Sequence, residues 1–69
     1  MAVFTAAAMS LRRSMIIDAL KKAGAFSAET AKALSDTDLV NPDSFPEYTR
    51  KLVDQGVIHE ADGRYFVER

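Results

Sequence analysis

The stretch from Leu52 to Val67, LVDQGVIHEADGRYFV, constrains the fold of this chain more than any other. It reads as the end of an amphipathic helix, a glycine stop, a strand, a tight turn and a second strand. Gly56 supplies the left-handed residue on which helices commonly end. Asp62-Gly63 suits a two-residue type I′ turn, because both central positions of that turn need positive φ. Such a loop pairs Ala61 with Arg64 and predicts strands near 57–60 and 64–67. Register then sets Ile58, Glu60, Tyr65 and Val67 on one face, and Val57, His59, Arg64 and Phe66 on the other. Ile58 and Val67 stand opposite each other, which assigns the first face to the core and leaves Val57 and Phe66 on the outside.

Upstream, the pattern is helical. Residues 10–23 form a first helix, with Ser10 as N-cap and Gly24 as stop. Leu11, Met15, Ile16, Ala19, Leu20 and Ala23 share its apolar face, and Phe4, Ala8 and Leu11 can carry that side back toward the N-terminus. Arg12 projects onto the same side, its stem expected along the core rim and its head in water. Ile17 points away, and Asp18 and Lys22 are spaced as a helix pair. Residues 25–40 allow two readings. In one, Ser27 caps a helix over 28–34. In the other, slightly favoured, 30–34 is extended and Ser35 caps a short helix through Leu39. Asn41-Pro42-Asp43 is a turn, and Ser44-Phe45-Pro46-Glu47 is a capping box opening a helix to Gln55. Phe45, Tyr48, Thr49, Leu52 and Val53 are its buried face. The expected core is Leu11, Met15, Ile16, Leu20, Phe45, Leu52, Val53, Ile58, Tyr65 and Val67.

With 69 residues the chain supports one small core. The absence of cysteine and the single histidine exclude disulfides, thiolate sites and a histidine-based metal centre, and no cofactor is expected. His59 has no nucleophile or acid held against it in the pattern, since Glu60, adjacent on a strand, points to the opposite face. There is no glycine-rich phosphate loop. A non-enzymatic chain without a small-molecule substrate is expected. Its net charge of −1 and pI near 5.7 lack the basic excess usual in a small nucleic-acid-binding domain. Residues 1–9 are apolar but too short to cross a bilayer, and Arg12-Arg13 follows the run rather than preceding it as in a signal peptide. A cytoplasmic location is expected, with membrane attachment only if an N-terminal anchor has been cut away. Residues 1–9 form a lead that can extend the first helix, and 10–69 form the domain.

From about Ser10 to Val67 this order of elements resembles the winged helix-turn-helix family. The resemblance rests on Leu52-Val53-Asp54-Gln55-Gly56-Val57-Ile58 followed by Asp62-Gly63-Arg64-Tyr65-Phe66-Val67, which look like a recognition helix running into a wing. It implies a mostly α fold with a C-terminal β-hairpin, three helices plus wing. It also implies DNA binding through the third helix and wing or, in many members, protein contact through the same surfaces. The recognition helix would then be Phe45 to Gln55, presenting Glu47, Arg50, Lys51 and Asp54, and the hairpin would add His59, Arg64 and Phe66. Two acids cancel two bases on the helix, and clustered carboxylates repel a phosphate backbone. Protein contact or self-association is therefore expected ahead of DNA-binding regulation, for which the electrostatics are weak. At the turn, Gly63→Val should cost on the order of 1–3 kcal/mol, because a β-branched residue resists positive φ. Urea unfolding measures this, and equal midpoints would show that no such turn forms.

Overall fold

Two helices and a hairpin surround one cluster of aliphatic side chains. The computed structural model describes residues 6–68, with side chains from Met9 onward. Helix α1 is Ala6–Lys22, a 3₁₀ turn is Leu34–Asp36, and helix α2 is Pro46–Asp54. Strands β1 (His59–Ala61) and β2 (Arg64–Phe66) pair antiparallel. Val3 and Phe4 of the apolar lead lie outside the described residues, as does the side chain of Ala8.

Both helices end in the same way. Gly24 and Gly56 each have φ of +76°. At the first, Ala25 N–H donates to Leu20 O and Gly24 N–H to Lys21 O, both at 3.0 Å. At the second, Val57 N–H donates to Leu52 O at 2.9 Å and Gly56 N–H to Val53 O at 3.0 Å. Each pair is a Schellman closure, which satisfies orphan carbonyls and turns the chain back onto the body. The start of α1 differs from expectation. The helix already runs from Ala6, so Ser10 lies within it, exposed, and is not its cap.

The hairpin has the expected register, Ala61–Arg64, Glu60–Tyr65 and His59–Phe66, around Asp62 at φ 53° and Gly63 at φ 80°. Its first strand starts two residues late. The amides of Val57 and Ile58 are still turned to Leu52 O by the helix closure, so neither joins the ladder. Strand β2 is bound on both edges. Beyond β1, Tyr65 exchanges hydrogen bonds with Lys32 at 2.8 and 2.9 Å, and Val67 N–H donates to Ala25 O at 2.9 Å.

Three helices plus wing are not formed: the segment between α1 and α2 holds only the 3₁₀ turn. Local polar chemistry explains this. Thr30 Oγ1 accepts from the amides of Phe26 and Ser27, both at 3.0 Å, and Ser27 Oγ accepts from Thr30 N–H at 3.3 Å. A capping exchange therefore exists at Ser27, but the chain must extend at Lys32 to pair with Tyr65, and no helix follows. Further on, Thr37 Oγ1 donates to Leu34 O at 2.6 Å and accepts from Leu39 N–H at 3.2 Å, with Thr37 itself extended. These side-chain bonds compete with helix propagation. Ser35 caps nothing; it lies inside the 3₁₀ turn, whose cap position is Ala33. The coarser description, a helical chain closing in a β-hairpin, is compatible with what forms.

Ile16, Leu20, Leu52 and Ile58 are the largest fully buried side chains. Ala19, Ala25, Leu34, Leu39 and Val67 complete the cluster, with Met15, Val53 and Tyr65 packed at its edge. Two expected core residues lie outside it: Leu11 is 63% exposed and Phe45 39%. At 3.6 residues per turn Leu11 sits about 140° around α1 from Ile16, too far to share its contacts. Phe45 is the N-cap of α2 in the left-handed region, so Ser44 does not cap that helix. Conversely, Ile17 on α1 and Val57 and Phe66 at the hairpin, all expected outside, pack against the cluster, and for the last two both faces of so short a hairpin lie within its reach. Leu52 bridges α2 to this cluster at 1% exposure. Leu52→Ala should cost about 2–5 kcal/mol, a large share of a small domain's stability. An unchanged thermal midpoint would place that helix face elsewhere.

Candidate interaction surface

Arg12 precedes Ile16 by four residues and Leu20 by eight, so all three share one face of α1. It is buried to 6% exposure, and its head does not reach water as expected. One guanidinium nitrogen donates to Val40 O at 2.8 Å. The other donates to Asn41 O at 3.0 Å and Ser44 O at 3.1 Å. The Phe45 ring lies 5.6 Å from the guanidinium carbon, within cation–π range. Bonds from a charged donor contribute about 1.5–3 kcal/mol each, enough to keep an arginine buried among carbonyls.

The loop that supplies these carbonyls is shaped to do so. Ser44 N–H donates to Asn41 O at 3.0 Å, closing a turn around Pro42-Asp43. Asn41 and Phe45, at φ 50° and 57°, flank it in the left-handed region. Asparagine tolerates that conformation and phenylalanine does not, at a cost of order 1–3 kcal/mol. The loop is thus bent by its own turn and held to α1 by Arg12.

One consequence appears at the surface. Val40 directs its carbonyl inward while its side chain stays 60% exposed. Leu11, Val40 and Phe45 are the exposed large hydrophobics among the described residues: Leu11 precedes Arg12 on α1, and Val40 and Phe45 contact its guanidinium. Depressions flank it on both sides. One of ≈ 310 Å³ is lined by Met9, Phe45, Pro46 and Tyr48, with the Tyr48 hydroxyl donating to Met9 O at 2.9 Å. The other, of ≈ 180 Å³, includes Met15, Leu39 and Val40. Sequence periodicity missed this surface. Arg12 fell on the apolar stripe, but only the loop's carbonyls explain why, and nothing local marks Val40.

The residues expected to make contact divide differently. Glu47, Arg50, Lys51 and Asp54 are all exposed on α2, two acids and two bases. Arg50 is 3.4 Å from Glu60, which points toward α2 rather than into the core. Arg64 is exposed at the start of β2. His59 and Phe66 are half-buried cross-strand neighbours with ring centroids 5.1 Å apart, and His59 Nε2 is 3.1 Å from Glu68 Oε1. Phe66 is therefore a packing residue more than an open contact. The expected Asp18–Lys22 ion pair is not formed; the ion pairs among the described residues are Arg50–Glu60 and His59–Glu68.

Among the described residues no three His, Asp or Glu side chains come together as metal ligands, and no helix is long and apolar enough to cross a membrane. Comparison with protein-family models, curated protein sequences and solved structures finds no match. The family resemblance thus rests on the residues quoted for it. Arg12→Lys replaces a fork that spans three carbonyls with a point charge that cannot. It should destabilise the domain by about 1–3 kcal/mol and lower the melting temperature by roughly 10 °C. A melting temperature unaltered by the exchange would deny the loop clamp its structural weight.

Proposed function

We propose that this chain is a non-enzymatic recognition module that contacts another protein through the surface around Arg12. The observation that carries this reading is that Leu11, Val40 and Phe45, the exposed large hydrophobics among the described residues, all belong to α1 beside Arg12 or to the chain that Arg12 clamps. Adjoining apolar side chains rimmed by polar residues are a common mark of a contact surface, and Met15, Leu39 and Val40 adjoin around one depression. Arg12 requires only a carbonyl at position 40, which any residue provides, so the clamp gives no reason for an exposed valine there. The α2 surface supports the same reading by its weakness toward phosphate. Its two bases are offset by two acids, and Arg50 is drawn to Glu60. Few net phosphate neutralisations mean little salt-dependent affinity for DNA.

Titration with a generic duplex at roughly 50 mM salt tests the choice, because phosphate readers bind most tightly at low salt. No micromolar binding is expected. Micromolar or tighter binding that disappears in Arg50→Ala/Lys51→Ala would replace protein contact with DNA binding through α2.

A further inference from the structure

A groove runs along α1 beside the segment 36–40. The depression of ≈ 180 Å³ at Met15, Leu39 and Val40 shares Ala19, Lys22 and Asp38 with a second, of ≈ 110 Å³, so the two adjoin along α1. Leu11, Met15, Asp18 and Lys22, spaced i, i+4, i+7 and i+11, form one row of the helix along its edge. At 1.5 Å per residue that row spans roughly 16 Å, the length of three helical turns. Met15, Leu39 and Val40 make one end apolar, and Leu11 stands one turn beyond Met15 on α1. Asp18, Asp36 and Asp38 make the other end acidic against the single Lys22. None of these three carboxylates has an ion pair or a side-chain hydrogen bond among the described residues, so all three charges are uncommitted.

We propose that this groove receives a basic amphipathic helix of a partner protein, a proposal that rests on reading the chain as a protein-contact module. The partner's apolar row would lie on Leu11, Met15 and Val40, with its Lys or Arg side chains against Asp18, Asp36 and Asp38. An amphipathic helix laid in an apolar groove is a recurring recognition mode, and rim charge sets orientation and choice of partner. Charge excludes the other occupants. Three open carboxylates repel a phosphate backbone and an anionic bilayer alike. A second copy of the chain offers no suitable helix within the described residues. Ile16 and Leu20 of α1 and Leu52 of α2 are turned into the core, the open row Leu11–Met15 of α1 runs on into Asp18 rather than into an excess of bases, and the outer face of α2 carries no net charge.

The test uses the full chain and two labelled 14-residue helical peptides, one built of Leu and Lys and the other of Leu and Glu with the same apolar row. Fluorescence anisotropy at low salt should show the Lys peptide binding about tenfold or more tightly than the Glu peptide. Asp18→Lys/Asp38→Lys should reverse that preference, and Val40→Gln, which removes the apolar anchor without adding charge, should weaken binding of the Lys peptide. Asp54→Lys, on α2, should change nothing. Circular dichroism checks that each variant folds. Lys-peptide binding indifferent to Asp18→Lys/Asp38→Lys, or absence of binding by either peptide, overturns the groove. Equal binding of both peptides, lost in Val40→Gln, overturns the basic partner while leaving protein contact standing. Failure of the protein-contact reading would instead be seen in the duplex titration.

Discussion

The Arg12 guanidinium, buried among the carbonyls of Val40, Asn41 and Ser44, is the interaction on which the arrangement of this chain depends. A 69-residue domain has little apolar area with which to fix a long connection. Here the connection between the 3₁₀ turn and α2 is fixed by polar means. The charge is kept from water by three acceptors and an aromatic ring, and the left-handed residues at Asn41 and Phe45 are held in place by the same contact. The direction in which α2 leaves the loop follows from that anchorage, and with it the approach of Leu52 to Ile16 and Leu20.

The hairpin is secured by a different device. Strand β2 and the residue after it receive hydrogen bonds from β1 and from the segment after α1, so two residues of that segment, Ala25 and Lys32, tie the C-terminal hairpin to the chain that leaves α1. This long-range pairing outcompetes local helix formation. Ser27 and Thr30 form the reciprocal bonds of a helix start, and the chain then extends. A local signal and a tertiary demand coexist one turn apart, and the demand that satisfies buried backbone groups prevails.

The proposed function rests on what the clamp leaves outside. Turning the Val40 carbonyl inward leaves its side chain in water beside the exposed flank of α1, and the extended residue Thr37 separates two aspartates at the groove's edge. Apolar and acidic groups thereby meet in a groove that the core does not use. The α2 face, where two acids and two bases lie in the open, has neither an apolar anchor nor a net charge to act on a partner at a distance.

The sequence by itself determined the helix stops at Gly24 and Gly56, the Asp62-Gly63 turn and the hairpin register, because each depends on backbone torsions that a few local residues dictate. It also determined the buried face of α2 at Leu52 and Thr49, and the neutral census of its outer face. Tertiary structure decided the rest. Whether 25–40 held a helix depended on Lys32 finding Tyr65, thirty-three positions away along the chain but adjacent in space. Whether Arg12 reached water depended on three carbonyls roughly thirty positions on. Leu11 and Phe45 have core-like chemistry, yet burial is a property of what stands opposite a side chain, and periodicity along one helix carries no information about that.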